Sequence, residues 1–245
     1  MSEAVVAPRI VLRIPGNWSH PGELLERLPE EFRLTPDALV LPDGTEVDFT
    51  PMPADGQFSQ VFQSACRRPP AEDELAVLAR YTVNVVLGGP GGSLESARTM
   101  MQAGAAFVRA GAAGVFIDNC ALAHGGSDWL AMTDDGGPEA ISFAFASIVR
   151  GRQKLYTMGM QTMGFPDLLM QSADVDERGE MVIEIIRYVC AGDKPIDVGH
   201  VLADEHGPRF QIVARDSDEF EAGSAMHNPY GRLKIVSVKD IAEGN

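Results

Sequence analysis

Cysteine is scarce, and Cys66, Cys120 and Cys190 are the whole supply. An odd, widely spaced set without a CxxC pair excludes a disulfide framework and a zinc knuckle. The simplest role for the three is as small apolar side chains in a reducing compartment, which points to the cytoplasm. Long apolar runs are missing as well: no segment approaches the ~18–20 residues of a membrane helix. The start, Met-Ser-Glu-Ala-Val-Val-Ala-Pro-Arg, carries an acid where a secretory signal carries a base. Positive charge is the third shortage. Lys and Arg number 20 against 35 Asp and Glu in 245 residues, a net charge of −15. Such a chain repels a phosphate backbone, which excludes general nucleic-acid binding. What remains is an ordinary globular composition, 45% hydrophobic, able to bury one sizeable core or two modest ones.

Residues 9–14 read as a short buried strand ended by Pro15-Gly16. Ser19 then caps a short helix carrying Leu24, Leu25 and Leu28, bracketed by Pro21 and Pro29. Residues 32–34 and 38–41 read as extended, and Pro42-Asp43-Gly44 turns the chain into a strand over 45–49, which predicts a hairpin. Pro51-Met-Pro53 breaks the pattern. A helix over 57–67 places Phe58, Val61, Phe62 and Ala65 on one stripe. Arg67-Arg68-Pro69-Pro70 reads as a linker. It divides an N-terminal α+β region, 1–70, from a main α/β domain, 71–245, unless the two build one continuous domain. A short acidic helix over 72–80 follows.

Residues 81–87 read as a central strand buried on both sides. Gly88-Gly-Pro-Gly-Gly92 turns the chain, and Ser93 caps a long helix reaching about residue 111, within which Gly104 marks a close approach. A second buried strand over 114–118 completes a βαβ unit, right-handed if its strands are parallel. Residues 119–138 read as a polar, Gly-rich loop, 139–150 as a helix, 155–163 as extended and 176–190 as a helix. The tail offers strands over 198–202, 209–214 and 233–238. The expected fold is α+β: mixed sheet with helices packed on one face and βαβ-type units. An echo between 9–41 and 81–118 points to two related halves.

A resemblance joins these elements. Pro51-Met-Pro53, the 81–87 strand, the strand from Gly114-Val-Phe-Ile117 towards His124, and Leu155-Tyr-Thr-Met-Gly-Met160 followed by Gly164-Phe-Pro-Asp-Leu168 occur in an order that resembles a bacterial family, domain of unknown function 4261. It spans roughly residues 45–240. The resemblance implies a cytoplasmic α+β protein with no agreed catalytic set. Toxin-immunity proteins among its neighbours supply a fold-level analogy for function.

Four features carry candidate chemistry. Gly88-Gly-Pro-Gly-Gly92 sits where Gly-rich loops cradle phosphates, but no lysine follows and Pro90 removes a donor, so a tight connection explains it. In the 118–128 segment, Cys120 and His124 have the chemistry of a thiolate–imidazolium pair oriented by Asp118 or Asp128. Asp118, His124 and Asp128 are alternatively metal ligands, and the plainer reading is a polar loop satisfying its own turns. His200, His206 and His227 stand beside turn signals. Met158, Met160, Met163 and Met170 fill a core or form an adaptable face, and Trp18 and Trp129 are binding anchors or gap-fillers.

The functional expectation is a non-enzymatic recognition protein of the immunity type, holding a basic protein partner on an acidic surface. Asp134-Asp135 and residues 216–221 are the stretches to examine first, and neither cofactor nor metal is implied. The alternative is a small hydrolase or ligand-binding protein using the loop after the Asp118 strand, with Asp118, Cys120 and His124 as candidate catalytic residues. Homo-oligomerisation through exposed β-edges in the tail is a third reading.

Overall fold

The computed structural model describes residues 8–175, 179–192, 196–203, 209–216 and 220–238. The order in the first half is β1 (Arg9–Gly16), α1 (Pro21–Arg27), β2 (Arg33–Leu34), β3 (Ala38–Val40), β4 (Glu46–Pro53), α2 (Phe58–Ala65), α3 (Glu72–Leu78), β5 (Val83–Pro90), α4 (Leu94–Arg109), β6 (Gly114–Ile117) and β7 (Leu122–Gly125). These strands form a seven-stranded sheet ordered β2-β3-β4-β5-β1-β6-β7, in which every neighbouring pair is antiparallel. The second half runs α5 (Gly126–Asp135), α6 (Pro138–Phe145), β8 (Ser147–Arg150), β9 (Lys154–Met158), β10 (Asp167–Gln171), α7 (Glu180–Ala191), β11 (Val201–Ala203), β12 (Arg209–Asp216) and β13 (Arg232–Ser237). Its six-stranded sheet is ordered β11-β12-β13-β10-β9-β8 and is mixed, because β10 and β13 pair in parallel. The fold is α+β.

The βαβ unit exists in split form. β5 and β6 each pair antiparallel with β1 and therefore run parallel to each other with β1 between them. A sequence reading sees the two flanking strands and α4, not the strand inserted seventy residues earlier. Strands on both sides of residue 70 thus share one sheet. The expected linker is also pinned to the rest of the chain. Arg67 donates its backbone N–H to Ala123 O, and its guanidinium to Phe143 O and Ala146 O at 3.0 and 2.5 Å.

Several element boundaries shift for local reasons. β4 continues through Pro51 and Pro53, both paired to β5. β3 covers only residues 46–48 of β4, so the prolines lie where the strand has a free edge and their missing N–H costs nothing. His20, not Ser19, caps α1 through Nδ1, while Ser19 donates its N–H and hydroxyl to Glu23. Residues 119–138 are not a loop: they form β7 and α5, both tied into the core. The helix expected over 139–150 ends at Phe145, since Ile148 and Val149 pair with β9. The extended segment expected to reach Met163 stops at Met158. Gly159, at φ 96°, turns the chain into a buried 3-10 turn, Met160–Met163. A Cβ there would run into the Phe145 carbonyl, so only glycine fits. Part of the helix expected over 176–190 lies outside the described residues, and α7 begins at Glu180.

One apolar cluster runs from the β1–β5 face of the first sheet through α4, α5 and α6 to the inner face of the second sheet and α7. Ser93 caps α4 as expected, accepting Ser96 N–H at 3.0 Å. Gly104 lets the fully buried Trp129 lie against α4, with indole Nε1 donating to Met101 O at 3.1 Å. All four methionines from 158 to 170 are buried in this core. A smaller cluster, Phe62, Leu78, Ala113, Phe116 and Ala123, packs α2 and α3 on the opposite face of the first sheet.

Candidate functional site

The 118–128 segment is built for packing. Asp118 receives Arg13 Nε at 2.7 Å, and Asn119 ties β1 to the tail by accepting Val11 N–H and donating to Arg9 O and Ala225 O. Cys120 is buried, and desolvation pushes its thiol up to about 12. Its carbonyl accepts the Ser147 hydroxyl. His124 is 1% exposed, and burial lowers its imidazole to about 4, so it is neutral at physiological pH. Its Nε2 lies 3.0 Å from Ala144 O, and its ring sits between Trp129 and Phe143. No hydrogen bond joins Cys120 to His124, and Asp128 pairs with Arg68 instead. A thiol that holds its proton and an imidazole that refuses one are the reverse of an activated pair.

The remaining sequence candidates resolve into turns and packing. Cys66 and Cys190 are also pushed up to about 12 by burial. His200 Nδ1 accepts Asp197 N–H within a turn, His227 contacts Phe220 O, and His206 lies outside the described residues. Among the described residues, no three His, Cys, Asp or Glu side chains converge to hold a metal ion, and no helix is long and apolar enough to cross a membrane. The Gly88–Gly92 turn joins β5 to α4 by close packing, with a Cβ at Gly89 meeting Met100. Of the acidic stretches, Asp134 pairs with Arg109 and Asp135 accepts Gly137 N–H, while residues 217–219 lie outside the described residues.

A cavity of about 660 Å³ opens elsewhere, on the α4 side of the first sheet. Its walls are Leu24 and Leu25 of α1, Leu34, Thr35 and Pro36 of the β2–β3 hairpin, Phe49 and Pro51 of β4, and Val83 and Val85 of β5. The cup exists because cover runs out. α1 is only seven residues long, and Phe107, near the end of α4, reaches no further than a stack under Phe49 at 5.9 Å. Trp18 also lines the cup and is held rigidly there. Its indole donates to Ala110 O at 2.9 Å, its carbonyl accepts the Thr82 hydroxyl, and Gly16 has no Cβ to obstruct the ring.

The polar side chains of the cup are already committed. Thr35 Oγ1 bonds Ala38 in both directions, His20 caps α1, and Ser19 donates to Glu23. With those groups committed, the cup offers shape and apolar surface. The segment forming two of its walls, residues 19–49, carries eight acidic and two basic residues, net −6 of the chain's −15. Arg27 is already paired with Glu23 at 2.6 Å. Glu26, Glu30, Glu31 and Asp37 are exposed, and none of them makes an ion pair among the described residues.

Trp18 was visible in the sequence as an anchor candidate, but the cup was not. The available signal was adjacent Leu24 and Leu25, which cannot both face inward on a short helix; Leu25 is 52% exposed. No family model, curated protein or solved structure matches the chain.

Proposed function

We propose that this chain is a non-enzymatic recognition protein whose apolar cup seats hydrophobic side chains of a basic partner segment. The observation that carries the reading is the 660 Å³ apolar cavity walled by the most acidic stretch of the first sheet. Two partner side chains of leucine or phenylalanine size, fully buried, would contribute roughly 3–6 kcal/mol before association costs. Attraction between exposed carboxylates and flanking lysine or arginine adds mainly to the on-rate and to discrimination. Weak, salt-sensitive binding, no tighter than roughly the millimolar range, follows. An immunity-type role, in which the basic partner is kept from its own target, is the biological form this binding would take. The unreactive state of Cys120 and His124 supports recognition over hydrolysis at the Asp118 strand.

The test uses a defined probe: a synthetic cationic amphipathic peptide, and a twin in which its basic residues are replaced by glutamate. Calorimetry at low and high ionic strength should show the cationic peptide alone binding, about tenfold more weakly in high salt. Leu25→Lys places a charge in the cup at an exposed helical position and should abolish binding without changing thermal stability. Equal binding of the acidic twin, or binding untouched by Leu25→Lys, would refute the reading.

A further inference from the structure

Beside the apolar cup, the outer edge of β4 runs on after its neighbour has ended. β3 pairs with residues 46–48 only, and beyond them Phe49 N–H donates to Asp37 O at 2.8 Å. Backbone groups of successive strand residues point to opposite edges. Phe49 therefore faces away from β5, and so do Pro51 and Pro53, two and four residues further along the same strand. Ala54 N–H, which bonds Thr82 O on the β5 side, gives the same alternation from the other end. Pro51 O and Pro53 O thus project from the outer edge, and among the described residues no donor reaches either. Both residues are exposed.

Proline makes this edge one-sided. An ordinary strand edge offers N–H and C=O together, whereas Pro51 and Pro53 offer carbonyls alone. A strand added here would bond those carbonyls and leave its own carbonyls facing proline rings, unsatisfied. What fits is a group with several donors and no acceptor, which among side chains means arginine or lysine. Spacing separates the two. Carbonyls two residues apart on one edge stand about 6.6 Å from each other, at ~3.3 Å per residue. A single ammonium nitrogen reaches two acceptors no more than about 6 Å apart, twice an N–H···O length of ~2.9 Å. The separate nitrogens of a planar guanidinium span further. The edge also borders the cup, since Pro51 lines it and Pro53 pairs with Val83, which lines it too. Exposed Asp37 and Asp55 flank the edge, while Arg33, next to Leu34 of the cup wall, belongs to the opposite face of β2.

We propose that the partner segment seated in the cup carries an arginine beside its apolar anchors, its guanidinium bridging Pro51 O and Pro53 O. This rests on the recognition reading of the cup and narrows its basic partner from any cation to arginine.

Two synthetic amphipathic peptides with the same apolar residues, one with arginine at every basic position and one with lysine, test it on the intact chain. In an NMR titration the indole N–H of Trp18, in the cup, reports binding, and that of Trp129, buried in the core, should not move. The arginine peptide should bind about tenfold more tightly than the lysine peptide, at low and high salt alike because their charges are equal. Pro51→Ala/Pro53→Ala restores two N–H groups that point at the guanidinium, and should bring the ratio close to one. Loss of the Pro51 ring takes apolar surface from both peptides, so the ratio is the readout. Equal affinities for the wild type would overturn the arginine assignment and leave the cup reading standing, whereas a Trp18 signal that neither peptide shifts would overturn both. A ratio that survives the double variant would assign the preference to ring stacking and overturn the bridge. Tighter binding of both peptides to the double variant would overturn it in favour of backbone pairing along the edge.

Discussion

Two buried titratable groups push stability in opposite directions over the same pH range, and separating them tests the electrostatic account of the core. Asp167 is 3% exposed, and burial raises its carboxyl to about 7 despite donors from Asn228 Nδ2, Thr157 Oγ1 and Met160 N–H and the nearby charge of Arg232. Between its unfolded value of 3.8 and about 7 the folded state holds a proton that the unfolded state has released. Stability from this group is fully present below pH 3.8 and falls as pH rises through 7, by about 4 kcal/mol in total. His124 does the reverse. Its folded value of about 4 lies below the unfolded 6.5, so its stabilisation is present above pH 6.5 and is lost as pH falls through 4, about 3 kcal/mol in total.

From pH 4.5 to 6 each group contributes a slope of about 1.4 kcal/mol per pH unit, with opposite signs, and the two cancel. The wild-type free energy from urea unfolding should therefore be flat across that window. His124→Gln, whose amide can still donate to Ala144 O, should lose about 2 kcal/mol between pH 4.5 and 6. Asp167→Asn should gain about as much over the same interval, and the double variant should be flat again. Asn at 167 replaces one of the two acceptor oxygens with an NH2 group that faces a donor, Asn228 Nδ2 or Thr157 Oγ1, and lowers absolute stability, so the slope and not the intercept is the readout. Constant m-values would show that all four proteins unfold in the same way. Single variants as flat as the wild type would refute the burial argument for both groups.

Thiol chemistry and backbone geometry give two further predictions. With all three thiols pushed up to about 12 by burial, the folded protein should react with a disulfide reagent at pH 7 far more slowly than free cysteine, and fully in urea; rapid native-state labelling of Cys120 would return the 118–128 segment to catalytic candidacy. Gly159→Ala adds a Cβ that meets the Phe145 carbonyl at φ 96°, and should cost roughly 2–4 kcal/mol and lower the thermal midpoint by about 5–15 °C in a scanning measurement. An unchanged midpoint would mean that the Met160–Met163 turn is not held as described.

What was legible in the sequence was whatever local chemistry decides. The Pro42-Asp43-Gly44 hairpin formed, with Asp43 accepting Thr45 N–H and Gly44 at φ 87°. Ser93 capped α4, and Gly104 did mark a close approach, though to the Trp129 indole and not to the sheet. The misreadings fall where tertiary packing overrides composition. His124, Gly125, Gly126, Ser127 and Asp128 look like a polar loop. They are ordered because Glu74 of α3 accepts both the N–H and the hydroxyl of Ser127 and occupies the space left by Gly125. A carboxylate fifty residues away is not a local signal. Nor is the insertion of β1 between β5 and β6, which converts an apparent simple crossover into the split arrangement.

Function was least legible because each proposed surface comes from cover that is missing, and missing cover leaves no motif. The cup exists because α1 stops at Arg27 and α4 stops at Arg109, leaving Phe49, Pro51 and Val83 without a helix above them. The outer face of the second sheet is likewise without a helix, because α7 packs against α6 and the core side, leaving Tyr156 and Leu169 half-buried on the other. The reactive side chains that a sequence reading gathers first are consumed in holding this frame together. Asp118 is spent on Arg13, His124 on Ala144, and Asp167 on Thr157 and Asn228. Their job is to make the frame rigid enough that uncovered apolar surface holds a fixed shape, and a fixed shape is what selective recognition requires.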